Sequence, residues 1–231
     1  MSGKPVQAVI KDGVVFSPYP EVELDENQSF YQYFAKQLEK FGNKPALEFE
    51  GVWLSAADVL SLVRRYAAGL QRHGVCLGDR VCVNVSNSVQ AFATTFAVCA
   101  SGAAVVLAKP TLTESNAELT LPRDAVSEGE LLYQIQDSGS TFIVSERPNA
   151  EKVLRIHEKN KFKALFSLDD VPGFESVSGF QSLDESCFKE PQIRDPKSDV
   201  LIFTYTSGTT GLPKGVEITH YGFIAALKIN W

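Results

Sequence analysis

The 231 residues contain only four cysteines, Cys76, Cys82, Cys99 and Cys187, and no two stand at Cys-x-x-Cys spacing. Neither a disulfide framework nor a zinc knuckle is therefore written into the chain, and free, buried thiols in a reducing compartment are expected. Basic residues are scarce too. Twenty-two Lys and Arg stand against 28 Asp and Glu, for a formal charge of -6, and no basic stripe is visible. That balance excludes affinity built on a nucleic-acid phosphate backbone, which depends on clustered Lys and Arg. The sequence has no run of about 18 apolar residues, the length a membrane span requires. Its N-terminal MSGKPVQAVIKDG lacks the apolar segment of a secretory leader. A soluble intracellular chain is expected, in which the glycosylation triplets at Asn27 and Asn84 carry nothing. Internal repeats and low-complexity tracts are absent as well.

What is present is an alternation of helix and strand. Phe30, Phe34, Leu38 and Phe41 recur at helical spacing ahead of Gly42, and Pro45 to Phe49 reads as a strand turning at Glu50-Gly51. Ser55 with Asp58 three residues on forms a capping-box pattern. It opens a helix whose apolar face is Val59, Val63, Tyr66, Ala67 and Leu70. Strands are expected at Val81 to Val85, Ala103 to Ala108, Thr141 to Val144 and Phe162 to Phe166. Helices are expected at Val89 to Ala100, around Leu131, Leu132 and Ile135, and at Ala150 to Lys159. Such alternation favours a largely parallel sheet covered by helices, because parallel neighbours need crossover connections. Asp169 to Pro196 reads as loop, with Asp169-Asp170 as solvated turn residues. His73 and His157 fall on polar helix sides and are expected at the surface.

The stretch YTSGTTGLPKGVEITH, Tyr205 to His220, stands apart. The apolar run Val200 to Tyr205 suits a strand buried on both faces, and Val216 and Ile218 alternate as a half-exposed strand would. Between them Gly208 and Gly211 free the backbone to turn N–H groups inward. Thr206, Ser207, Thr209 and Thr210 add hydroxyls, and Lys214 adds a positive charge. This is a donor set for phosphate oxygens. Pro213, with its fixed φ and missing N–H, holds such a loop open. A helix follows, for which Thr219 is a candidate cap; His220 is either packed near a nucleotide or simply at the helix start. The Walker A pattern fails here, since Pro213 and Gly215 stand where a glycine and a hydroxyl belong, and the Gly-x-Gly-x-x-Gly dinucleotide pattern also fails.

Ser207 to Val216, with Thr219-His220 after it, closely resembles the phosphate-loop signature of the adenylate-forming (AMP-binding) superfamily of acyl-CoA synthetases, 4-coumarate-CoA ligases and insect luciferases. A looser likeness runs through Asn43-Lys-Pro-Ala-Leu47, Ala67-Ala-Gly-Leu70, Gly78-Asp-Arg-Val81, Asn87-Ser88, Ser101-Gly-Ala-Ala104 and Gln134-Ile-Gln-Asp-Ser138, so that it covers about Val14 to Trp231. The resemblance implies an α/β fold of largely parallel sheets covered by helices. Residues 1–25 would be a lead-in and residues 26–231 part of the adenylate-forming domain. It implies a ligase in which a carboxylate attacks the α-phosphorus of Mg-ATP, releasing pyrophosphate, and the thiol of coenzyme A then displaces AMP. A carboxylic acid, ATP, magnesium and coenzyme A are the small molecules so implied. Thr206, Ser207, Gly208, Thr209, Thr210, Gly211 and Lys214 are the residues expected to hold phosphate; no catalytic or metal-binding residue is assigned.

Family enzymes carry further elements beyond the phosphate loop: an aromatic-Gly-x-Thr-Glu motif, a ribose-binding aspartate, a hinge, and a domain bearing a catalytic lysine. None has a counterpart before Trp231, and Leu112 to Ser127 is longer and more polar than usual. The chain alone is therefore expected to form no thioester and to leave the stripe Phe223, Ile224 and Leu227 exposed for a protein partner. A second reading is a non-catalytic relative that keeps only the loop. The acyl substrate is not legible. Cytosol and peroxisome both stay open, since the chain ends Ile229-Asn-Trp231 without a peroxisomal tripeptide.

Overall fold

The structure, a computed structural model, describes residues 8–16, 23–108, 123–206 and 213–229, without side chains for 123–128. At its centre lies a seven-stranded sheet built from short apolar runs. The strands are β5 (Arg80–Val83), β6 (Ala104–Leu107), β7 (Phe142–Ser145), β8 (Ala164–Ser167), β9 (Glu175–Ser176), β10 (Val200–Thr206) and β11 (Lys214–Thr219). Their order across the sheet is β11-β10-β6-β5-β7-β8-β9. All neighbours are parallel except β10 and β11. Four earlier strands form two separate hairpins, β1 (Val9–Lys11) with β2 (Val14–Phe16), and β3 (Pro45–Phe49) with β4 (Val52–Ser55).

Helices connect the parallel strands and cover both faces. The crossovers are α3 (Val89–Ala100) from β5 to β6, α4 (Arg123–Ser138) from β6 to β7, and α5 (Ala150–Asn160) from β7 to β8. From β5 the chain steps to one side for β6 and then back across β5 for β7. With right-handed crossovers this reversal puts α3 on one face and α4 and α5 on the other. The core accordingly divides in two. Val81, Val83, Val105, Phe142 and Phe166 pack with α1 (Phe30–Phe41), α2 (Ala56–Arg72), α3 and α6 (His220–Ile229). Cys82, Val106, Ile143, Leu165 and Phe203 pack with α4 and α5. Burial runs on through β5 for this reason: Cys82 is as buried as Val81 and Val83 on either side of it.

The helix starts follow local chemistry. The Ser55–Asp58 capping box is formed, and Ser29 with Gln32 forms a second one ahead of α1. Gly42 closes α1 at a φ of 56°, a conformation that glycine adopts without strain. In α2, Gly69 leaves room for Phe180, because a Cβ at position 69 would land on the Phe180 ring.

Four expectations require correction. The stretch 169–196 holds more than loop: β9 extends the sheet, and the 3-10 helix Val177–Ser182 delivers Phe180 onto α2. His73 and His157 are not plain surface residues. The His73 ring packs against Phe166 and Phe180, while His157 stacks on Phe162 and accepts its backbone N–H through Nδ1. Cys82 and Cys99 are buried, and burial pushes both thiols up to about 12, but Cys76 and Cys187 are exposed. Finally, the apolar stripe of α6 is covered by this chain itself. Ile224 is buried, Phe223 meets the Phe30 ring edge-on at 5.2 Å, and Leu227 packs against the same core. Among the described residues no helix is long and apolar enough to cross a membrane.

Candidate functional site

The candidate site begins where β10 leaves the sheet. Leu201, Ile202 and Phe203 are buried in its interior, then Thr204 and Tyr205 are half-buried and Thr206 is exposed. β11 returns antiparallel beside it, and Thr206 faces Lys214 as the outermost pair of that register. The Thr206 hydroxyl donates to the Lys214 carbonyl at 3.5 Å, closing the neck of the loop. Lys214 itself is exposed. Of the seven residues expected to hold phosphate, these two are placed, one on each leg. Ser207, Gly208, Thr209, Thr210 and Gly211 lie outside the described residues.

Beside the neck is a cavity of 960 Å³ over the carboxyl ends of β5, β6 and β10. Val83, Phe92, Phe96 and Leu107 give it apolar walls, and Gln134, Thr204, Thr206 and Pro213 contribute to its lining. Ligands of open α/β sheets bind in this position, outside the carboxyl ends of the strands. Ser88 caps α3 by accepting the Ala91 N–H, which fixes the start of the helix that forms the cavity's far wall. Among the described residues, no group of three or more His, Cys, Asp or Glu is placed to hold a metal ion.

Side chains of α4 and β10 fasten this region, among them Tyr133, which the sequence pattern does not single out. Tyr133 donates its hydroxyl to the Pro213 carbonyl at 3.1 Å. Tyr205 donates to Asp137 Oδ2 at 2.8 Å and lies 3.1 Å from the Gln134 carbonyl. Burial first, and the hydrogen bond and charge of Asp137 next, push the Tyr205 phenol far above the usual tyrosine range, so it stays a donor.

His220 is resolved as a structural residue. It is 2% exposed, and its Nδ1 accepts the backbone N–H of Phe30 at 3.1 Å. Phe30 opens α1, so the imidazole satisfies a helix-end donor 190 positions away. Burial, partly opposed by Asp199, holds the ring neutral and pushes its pKa down to about 4. Thr219 takes the capping role expected of it, accepting the Gly222 N–H at 3.1 Å.

Comparisons with known proteins agree with this arrangement. A family profile described as AMP-binding enzyme matches residues 34–230. 4-Coumarate–CoA ligase 3 of Oryza sativa subsp. japonica is 31% identical over 221 residues, covering 93% of this chain and 36% of that protein. A long-chain-fatty-acid–CoA ligase of Bacillus subtilis is 29% identical over 227 residues, covering 86% and 38% respectively. Among solved structures, a long-chain-fatty-acid-CoA ligase from Archaeoglobus fulgidus superposes with a TM-score of 0.74 at 26% identity, over 91% of this chain and 40% of that one. The luciferase-like enzyme of the Zophobas morio mealworm shares the fold, with a TM-score of 0.75 at 20% identity, over 91% and 47%. The chain thus spans well under half the length of the curated relatives it matches, 38% for the 4-coumarate–CoA ligase 1 of Petroselinum crispum. With its fold and almost its whole length matched, the chain belongs to the AMP-binding enzyme family.

Proposed function

We propose that this chain supplies the phosphate-holding element of an ATP-dependent carboxylate–CoA ligase. The observation that supports it best is the place of the Thr206–Lys214 neck, at the carboxyl end of β10 and beside the cavity, in a chain of this family. In the reaction so proposed, a carboxylate oxygen forms a bond to the α-phosphorus of Mg-ATP as the bond to pyrophosphate breaks. The coenzyme A thiol then loses its proton and displaces AMP. The work of Thr206 to Lys214 is to hold the terminal phosphates by backbone and hydroxyl donors. Lys214 offsets the charge that grows on the departing pyrophosphate, an interaction stronger at the transition state than before it. Magnesium enters this reading with the nucleotide. The acyl group is left unassigned, since relatives named for 4-coumarate and for long-chain fatty acids match alike.

One phosphate grip is weak. Charge-assisted hydrogen bonds of about 1.5–3 kcal/mol each must offset association costs of at least about 4 kcal/mol. A dissociation constant near millimolar is expected for Mg-ATP on this chain. Equilibrium dialysis checks it: pyrophosphate should compete with Mg-ATP, adenosine should not, and Lys214→Ala should weaken retention severalfold. Competition by adenosine but not by pyrophosphate would sink the reading.

A further inference from the structure

We infer that Tyr133 and Asp137 of α4, together with Tyr205 of β10, are positioning residues that clasp the neck of the loop and set where its two legs leave the sheet. The functional consequence rests on the phosphate-binding reading above; the geometry does not. Each leg is engaged separately. The outgoing leg is held through Tyr205, whose hydroxyl donates to Asp137 at 2.8 Å. The returning leg is held through Pro213, whose carbonyl accepts from Tyr133 at 3.1 Å. The two tyrosine rings meet edge to face, 6.3 Å apart at 71°, so the two ties support each other. The clasp also closes over Gly215 on the returning leg, because a Cβ at that position would lie 3.4 Å from both Asp137 Oδ2 and the Tyr205 ring.

The clasp has work to do because β11 is an edge strand, paired on one side only and exposed from Lys214 to Glu217. The other edge of β11 has no strand partner among the described residues to hold it. Pro213 has no N–H to give to β10, so its carbonyl is the backbone group through which its position can be fixed. Tyr133 and Asp137 stand four residues apart, on one face of α4. The same helix lines the cavity with Glu130 and Gln134, so a single element both walls the cavity and fixes the loop beside it.

Limited trypsin digestion, followed by mass spectrometry at the bond after Lys214, tests the clasp on the chain as it is. Tyr133→Phe removes one hydroxyl and keeps the ring. It should speed cleavage there by about two- to tenfold, the factor that one net hydrogen bond makes in a local opening equilibrium. Asp137→Ala should do the same, while Asp137→Asn, which keeps an acceptor for Tyr205, should cut at close to the wild-type rate. Cleavage after Lys161, an exposed residue between α5 and the amino end of β8 and so away from the neck, should not change. Unaltered cleavage after Lys214 in both Tyr133→Phe and Asp137→Ala would overturn the inference, as would a parallel rise after Lys161. Added pyrophosphate separates the two readings. If it fails to slow the wild-type cut while Tyr133→Phe still speeds it, the clasp stands and phosphate binding falls.

Discussion

Strand β10 has a different neighbour on each edge, and the contrast separates a buried side that carries stability from an open side that is free for the proposed binding. Toward β6 it pairs in parallel, and Ala104, Val105 and Val106 are buried there. Toward β11 it pairs antiparallel, and Lys214 to Glu217 are exposed. A parallel partner must be reached by a crossover helix, so that side is covered and apolar. An antiparallel partner needs only a short connection. The open edge of the sheet is therefore where glycines, hydroxyls and a lysine fit at low structural cost. Substitutions on the parallel side should change stability, and those on the antiparallel side should change ligand binding.

The largest effect should come from the sheet centre. Phe142 on β7 is fully buried, and Phe142→Ala should cost about 3–5 kcal/mol, measurable by urea unfolding. A loss below about 1 kcal/mol would mean that the centre is not close-packed as described.

Acid should come next, through His220. Its unfolded ring takes up a proton near pH 6.5, while the folded ring resists until about pH 4. Within that window the unfolded state binds more protons, so stability is full above it and falls as the pH falls through it. About 3 kcal/mol is involved. Unfolding curves collected across this range should show the slope, and His220→Gln should flatten it.

Gly69→Ala ranks third. The gain in helix propensity is up to about 1 kcal/mol, but displacing the Phe180 ring should cost about 1–3 kcal/mol, for a net loss. A more stable Gly69→Ala protein would show that Phe180 does not press on α2. The smallest effect belongs to the open edge: Val216→Thr should shift stability by no more than about 0.5 kcal/mol.

Elements whose signals are local are legible in the amino-acid sequence. The α3 bounds, the Ser55–Asp58 box and the Thr219 cap depend on residues within a turn of one another, and they fall where the pattern places them. Phe180 is hidden because it sits in a polar stretch that reads as loop. Its apolar environment is supplied by Gly69, Tyr66 and Phe166, distant in sequence. Long-range ties at both ends of β10 are illegible for the same reason. Tyr133 and Pro213 stand 80 positions apart, and Phe30 and His220 stand 190 apart, so each contact exists only after the sheet order is set. The apolar stripe of α6 reads as exposed from its own residues alone, yet Phe30 and the rest of α1 cover it from the opposite end of the chain. The stretch proposed to hold phosphate is legible as a motif, but the structure describes only its two legs.

The central claim, that the open edge of the sheet holds phosphate, is tested most directly by nuclear magnetic resonance. Uniformly nitrogen-15-labelled chain would be titrated with pyrophosphate to about ten times the expected millimolar dissociation constant. The expected result is saturable shifts of backbone amides from Thr206 to Gly215, with the amides of β5 and β7 unmoved, and a severalfold higher pyrophosphate concentration at half-saturation in Lys214→Ala. Saturable shifts that leave Thr206 to Gly215 untouched, or that survive unchanged in Lys214→Ala, would contradict it.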